Sequence, residues 1–113
     1  MDIEEIRDFC LSLKGSTEDL KWGGVLCFTV ENKIFLLYAL DSPNLINVKI
    51  DPEYFDEEVA KPGISQAFHM AKRHWISIHE FERLPENDLK SYILNSRSLV
   101  IKKLSKAIQQ KYL

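Results

Sequence analysis

Two apolar segments separated by a short polar turn constrain the fold of this 113-residue chain more than any other feature. Val25–Val30 and Lys33–Leu40 each have the length of a β-strand, and the polar pair Glu31-Asn32 joins them. Apolar side chains occupy both the even and the odd positions of the first segment, so neither of its faces is polar. The pattern predicts an antiparallel hairpin with two substantially apolar faces.

Further strands are predicted downstream of this hairpin. Asp41-Ser42-Pro43-Asn44 is a strong turn signal, and Leu45–Ile50 then has the composition of a third strand that completes a meander. Gln66–Met70 and Trp75–His79 predict a second hairpin that turns at Ala71–His74. Five strands in two groups therefore follow from the pattern.

The start of the chain predicts a helix and a connection. Asp2 and Glu5 have the spacing of an N-cap and its capping-box partner, and Gly15 is suited to end the helix. The helical stripe consists of Ile3, Ile6, Cys10 and Leu13. Ser16–Gly24 is interpreted as a polar connection that brings a buried Trp22 to the sheet.

A short helix is predicted between the two groups of strands. Asp51-Pro52 is typical of a helix start, because proline at the first helical position loses no hydrogen bond. Tyr54, Phe55 and Val59 are predicted to face the sheet. Pro62-Gly63 then ends the helix, with Gly63 suited to the positive φ of a type II turn.

The C-terminal third predicts two further helices. The first begins after Leu84-Pro85, and either Ser96 or Ser98 is expected to cap the second. Their apolar stripes are Leu89, Tyr92 and Ile93, and then Val100, Leu104, Ala107 and Ile108. The resulting order, α-β-β-β-α-β-β-α-α, predicts a two-layer α+β fold for a single domain over residues 1–113, with helices over an antiparallel sheet.

Composition and the N-terminal residues lead us to expect a cytoplasmic protein. Hydrophobic residues make up 45% of the chain, yet no run approaches the about 18 consecutive apolar residues of a membrane span. The acidic N-terminus is unlike a signal peptide. Cys10 and Cys27 lack a metal-type spacing, so buried free thiols are expected, with a disulfide as the alternative.

No catalytic, cofactor or metal motif is visible in the chain. The serines lack a nucleophile elbow, and the four glycines match neither nucleotide fingerprint. His69, His74 and His79 have no cysteine or well-placed carboxylate to complete a metal site. We therefore expect no enzymatic activity, no cofactor and no metal centre of this kind.

Charge singles out one candidate binding segment. The net charge of −2 argues against a nucleic-acid binder held by bulk positive charge. The predicted hairpin tip is nevertheless basic and aromatic, with Lys72, Arg73, His74 and Trp75 in succession. Lys49, on the polar side of its strand, is the fifth candidate for contact with nucleic-acid phosphates.

The acidic face of the first helix offers a different hypothesis. Asp2, Glu4, Glu5 and Asp8 could hold a hard cation or iron, as acidic helices of frataxin-like domains do. The alternative is a solvated helix start whose acids complement the helix dipole. The lysines of the last helix have a similarly simple interpretation as its solvated face.

Four segments together resemble the MmcQ/YjbR family: Lys61–Ile76, Lys33-Ile34-Phe35, Val48–Pro52 and Ser96–Val100. The resemblance implies an α+β fold similar to frataxin-like and secretion-chaperone-like folds. The family is often described as DNA-binding, with a double-wing arrangement of hairpins. Arg97 stands where many relatives have tyrosine, so the local packing must differ.

Two functional hypotheses follow from the resemblance and the charge. In the first, the wings are the hairpins at Glu31-Asn32-Lys33 and Ala71–His74, and only the second has the charge needed to bind DNA phosphates. In the second, the protein is a protein-interaction or chaperone-like module that uses its sheet face or edge. The oligomeric state stays open in both.

Overall fold

The computed structural model describes residues 1–113 and has ten helices and strands. Their order is α1 (Ile3–Ser12), β1 (Ser16–Lys21), β2 (Val25–Val30), β3 (Lys33–Ala39), β4 (Leu45–Lys49), α2 (Phe55–Val59), β5 (Ile64–Gln66), β6 (Trp75–His79), α3 (Glu86–Lys102) and α4 (Lys106–Gln109). Three 3-10 turns, at Pro52–Tyr54, Phe81–Arg83 and Gln110–Tyr112, supplement them. The predicted α+β class is confirmed, with one strand more than predicted.

All six strands join one antiparallel sheet in the order β1-β2-β3-β4-β6-β5. The β2–β3 hairpin forms as predicted, and Glu31 and Asn32 both have positive φ, 51° and 63°. Two successive positive φ values give a turn whose twist matches that of the flanking strands. Gly63, at φ 79°, likewise provides the predicted turn before β5.

The prediction of a polar connection over Ser16–Gly24 was wrong, because Ser16–Lys21 forms the edge strand β1. Its sequence lacks an apolar alternation, since an edge strand exposes most of its side chains. Pairing with β2 stabilises it instead, and Glu18 also binds Arg7 of α1 at 2.6 Å. Trp22 is not buried: it lies in the β1–β2 turn and is 73% exposed.

The helices lie on one face of the sheet and enclose the main core. Ile6 and Cys10 of α1, and Leu89 and Ile93 of α3, are completely buried against this face. The predicted capping box of α1 is confirmed, since Asp2 and Glu5 exchange hydrogen bonds of 2.9 and 3.1 Å. The two-layer arrangement follows directly from this packing.

A β-bulge places two consecutive residues of β3 in this core. Phe28 pairs with Leu36, but the next residue, Thr29, pairs with Ile34, so Phe35 is the extra residue. Both Phe35 and Leu36 are therefore buried on the helical side, with no exposed surface. A bulge breaks the alternation of faces that a regular strand imposes.

The predicted strand Gln66–Met70 was wrong beyond its first residue. β5 ends at Gln66, and Ala67–His74 is a loop. The Gln66 side chain replaces a strand partner, because its amide donates to the Ala67 carbonyl at 2.9 Å and accepts from the Arg73 N–H at 2.8 Å. Positive φ at His69 and Arg73 turns the loop back.

The loop folds over the sheet face that the helices leave open. Ala67 and Met70 pack there with Cys27, Leu37 and Trp75 in a second, smaller apolar cluster. The segment predicted as a hairpin tip therefore belongs to a loop that lies partly against the sheet, while Lys72 and Arg73 stay exposed. Apolar burial of Trp75, which is only 8% exposed, favours this position over an extended wing.

The C-terminal helices also differ from the prediction. α3 continues through Ser96 and Ser98 to Lys102, so neither serine caps a helix, and Ser105 caps the short α4. Ser96 is completely buried, and its hydroxyl accepts from the Lys49 N–H at 2.8 Å and donates to the Phe35 carbonyl at 2.6 Å. Its role is to bridge two strands.

Two smaller predictions concern exposure. Tyr54 does not face the sheet and is 50% exposed, because it belongs to the 3-10 turn before α2. Cys10 and Cys27 are both buried and free, as predicted, on opposite faces of the sheet. Burial raises the pKa of the Cys10 thiol to about 12. No helix is long and apolar enough to cross a lipid bilayer.

Candidate functional site

Arg73, one of the five predicted phosphate-binding residues, is already paired within the protein. Its guanidinium donates two hydrogen bonds of 3.0 Å to the Asp56 carboxylate and lies 5.1 Å from the centre of the Phe55 ring. The hydrogen bonds with Asp56 raise the pKa of Arg73. Arg73 therefore ties the loop to α2.

The other residues of the predicted tip have different surroundings. Trp75 is covered by the loop, so its ring has no free face for stacking. His74 is half-buried, and its backbone bonds the Ala71 carbonyl and the Ile50 N–H. Lys72 is exposed and has no carboxylate within 4.0 Å. The tip thus contains one unpaired cation.

Lys49 lies next to another lysine. It pairs with Trp75 across β4 and β6, which places its side chain on the open face, opposite to the buried Val48. Burial and, after it, the neighbouring Lys103 ammonium lower the pKa of Lys49. Neither lysine has a carboxylate within 4.0 Å. Lys103 is therefore a neighbour of Lys49 that the sequence alone did not indicate.

A groove of about 960 Å³ crosses the open face beside the loop. Its floor comes from the central strands and its two sides from the β1–β2 turn and the Ala67–His74 loop. The apolar part of the floor consists of Val25, Leu37, Ala39 and Leu45. The sheet has no helix here to cover these side chains.

Two exposed aromatic residues stand on opposite sides of this groove. Trp22 is 73% exposed and Phe68 is 81% exposed, although both line the cavity. Trp22 also has φ 50°, a conformation that costs a bulky residue about 1–3 kcal/mol. The Phe68 ring contacts the His69 ring in a tilted arrangement, with 4.1 Å between ring centres and 55° between ring planes. Exposure and strain at one surface are typical of a binding site.

The groove is lined by few permanently charged side chains. Ser65 and His79 share a hydrogen bond of 3.0 Å, and the Ser77 hydroxyl donates to Asn47 at 2.5 Å. Asp41 is the one lining residue with a permanent charge, and no lysine or arginine lines the cavity. The groove can therefore accept apolar and polar groups, but it offers no lysine or arginine to a phosphate.

The groove is not evident from the sequence. The sequence pattern predicts a buried position for Trp22 and a strand position for Phe68, and the two residues are far apart in the chain. One available signal was the Trp22-Gly23-Gly24 run, which is unusual for a turn that only connects strands. Gly23 has φ 75° and open space around it, so the turn presents Trp22 to solvent.

Three of the four acidic residues predicted to form the acidic face of α1 have partners within the helix. Asp2 and Glu5 form the capping box, and Glu4 lies 4.0 Å from the Arg7 guanidinium. No group of three or more histidine, cysteine, aspartate or glutamate residues is arranged to hold a metal ion. The metal hypothesis for α1 gains no geometric support.

Comparison with known proteins gives a consistent family. The family model named YjbR matches residues 11–99. YbdF of Escherichia coli O157:H7 is 34% identical over 87 residues, which cover 74% of this chain and 70% of YbdF. The structure superposes on that of Deinococcus radiodurans DR2400, which has a DUF419 domain, with a TM-score of 0.88 and 26% identity, over 98% and 87% of the two chains.

A Pseudomonas syringae protein has the same fold, with a TM-score of 0.73 at 23% identity, over 88% of this chain and 98% of its own. The family model covers all six strands, β1 to β6, as well as most of α3, including the Ser96 bridge. The resemblance first seen in four short segments thus extends over the framework of the fold, and the chain belongs to the MmcQ/YjbR family.

Proposed function

We propose that this protein is an interaction module that binds an apolar segment of a partner polypeptide in the groove of its open sheet face. The observation that carries the proposal is the pair Trp22 and Phe68, which expose most of their surface on two sides of one apolar cavity. Burying an aromatic side chain contributes about 1.5–3 kcal/mol. A partner that covers both rings gains this energy twice.

The chemistry of the groove indicates what the segment must carry. Its floor takes an apolar side chain, while Asn47, Ser65 and Ser77 offer hydrogen bonds to a main chain or to neutral side chains. Asp41 favours a neutral or basic flank and repels an acidic one. Lysine or arginine is absent from the lining, which argues against a phosphate ligand at this place.

A peptide selection tests this proposal directly. Peptides selected from a random library on the wild-type protein are expected to share an apolar residue with neutral or basic neighbours. A Trp22→Ser/Phe68→Ser double variant is expected to bind a selected peptide about 100-fold more weakly, since two apolar contacts are lost. Fluorescence anisotropy with a labelled selected peptide measures the affinity.

Leu20→Ser provides the matched control, because Leu20 is also exposed, at 58%, but points to the opposite face of the sheet from the groove. Its affinity should equal that of wild type. Three results contradict the proposal: selection of acidic peptides, a failure to select any peptide, or a loss of peptide affinity in Leu20→Ser as large as that in the double variant. Self-association through the groove, seen as dimers in sedimentation, does so as well.

DNA binding is the second candidate, and the observation that favours it is the unpaired lysine pair Lys49 and Lys103. Two adjacent ammonium groups without a carboxylate attract an anion such as a backbone phosphate. Lys72 adds one more free cation, whereas Arg73 must break its bonds to Asp56 to take part. We propose this contact as an alternative to the peptide groove.

A salt series separates the two candidates. Affinity for a DNA duplex is expected to fall steeply with salt, and Lys49→Ala/Lys103→Ala should reduce the slope of log K against log salt by about 1.8. Arg83→Ala, in an exposed i,i+3 pair with Glu80, is the control and should leave that slope unchanged. If the affinity for the duplex changes neither with the salt concentration nor in the lysine variant, DNA binding through these lysines is excluded.

A further inference from the structure

A second cavity, of about 650 Å³, lies between α2 and α3 on the helical side of the fold, away from the open sheet face. Ile50, Ile64 and Leu84 form its apolar floor, and polar side chains of both helices surround its mouth. We propose that this cleft binds a small organic cation with an apolar body, such as an arylalkyl amine. Its volume lies within the range of small-molecule sites.

A network of three side chains organises one wall of the cleft. The Glu58 carboxylate accepts a hydrogen bond of 2.8 Å from the Lys61 ammonium and a second from the Tyr92 hydroxyl. Burial, followed by the Glu58 carboxylate, raises the pKa of Tyr92 to about 12, so the phenol remains a neutral donor at physiological pH. The Glu58 side chain is only 14% exposed.

The charges of the cleft do not balance. Glu58 and Asp88 contribute two carboxylates, while Lys61 is the one cation in the lining. Lys61 binds Glu58, whereas Asp88 has no basic group within 4.0 Å. The uncompensated charge at the mouth is therefore negative, and it favours a cationic group at Asp88.

The remaining lining fits the same kind of ligand. The rings of Tyr54 and Tyr92 border the cleft and can interact with a cation through their faces. Ser91 and Asn95, one and two turns along α3 from Asp88, supply oxygen acceptors for an ammonium group. An ammonium head near Asp88 leaves the apolar body of the ligand over Ile50, Ile64 and Leu84.

Three probes of nearly equal shape but different charge test whether the cleft prefers a cation. Titration of the ¹⁵N-labelled protein with 2-phenylethylamine is expected to give saturable shift changes at the amides of α2 and α3. The neutral 2-phenylethanol and the anionic phenylacetate should bind at least about tenfold more weakly, because neither can pair with Asp88. Asp88→Asn should weaken amine binding by a similar factor while leaving 2-phenylethanol unaffected.

Glu57→Gln is the control, since it removes an exposed carboxylate of α2 that does not line the cleft. It should bind the amine like wild type. Equal or tighter binding of phenylacetate, an amine affinity that Asp88→Asn does not change, or the absence of saturable binding by all three probes overturns the proposal. Asp88 is exposed, so the variant is expected to fold, which its thermal transition verifies.

Discussion

Replacing Ser96 by alanine is expected to lower the free energy of unfolding by about 2–4 kcal/mol, because it leaves two buried backbone groups without partners. β3 and β4 pair directly only at Leu36–Val48 and Leu37–Asn47. At the next position, the Lys49 N–H and the Phe35 carbonyl are joined through the Ser96 hydroxyl. Alanine removes both hydrogen bonds at a site that water cannot reach.

Urea unfolding followed by circular dichroism measures this loss. Ser98→Ala is the matched control, since Ser98 belongs to the same helix but is exposed, and its stability should stay within about 0.5 kcal/mol of wild type. A Ser96→Ala variant as stable as Ser98→Ala contradicts the bridging role. Such a result means that β3 and β4 close the gap by pairing directly.

Replacing Phe35 by alanine is expected to cost about 3–5 kcal/mol, as is usual for a phenylalanine in a packed core. Phe35 is completely buried, and the β-bulge is the reason that it faces the helices together with Leu36. Neighbouring side chains cannot fill the space without moving α3 or the bulge. Chemical denaturation gives the change in free energy.

Phe68→Ala provides the comparison for the same chemical change. Phe68 is 81% exposed, so its loss should alter the free energy of unfolding by no more than about 0.5 kcal/mol. The proposed peptide contact, in contrast, should weaken. Similar stability losses in the two variants are incompatible with the different burial of these phenylalanines.

Features that depend on neighbouring residues were predictable from the sequence. The capping box of α1 needs only Asp2 and Glu5, three residues apart, and it formed as predicted. The β2–β3 hairpin depends on Glu31-Asn32, and the turn before β5 on Gly63. In each case the backbone conformation is set by the chemistry of the turn itself.

Features that depend on residues distant in the chain could not be predicted from the sequence. β1 has a polar sequence without a strand pattern, and it is a strand because β2 offers it hydrogen bonds. The sequence around Ser96 is typical of a helix cap. In the structure its hydroxyl instead bonds the backbone of Lys49 and Phe35. The sequence predicts that Arg73 is a free cation at a hairpin tip, yet its guanidinium lies 3.0 Å from the Asp56 carboxylate.

Both cavities also depend on residues that are distant in the chain. Sequence alone determined the α+β class, the first hairpin and the main helical stripes, because these depend on periodicity and local turn chemistry. The family was indicated by the resemblance of four short segments. Only the tertiary structure brought Trp22 to face Phe68 across the open sheet, and placed Asp88 beside the Glu58 network. Those pairs lie far apart in the chain, and their proximity is a product of strand order and helix packing.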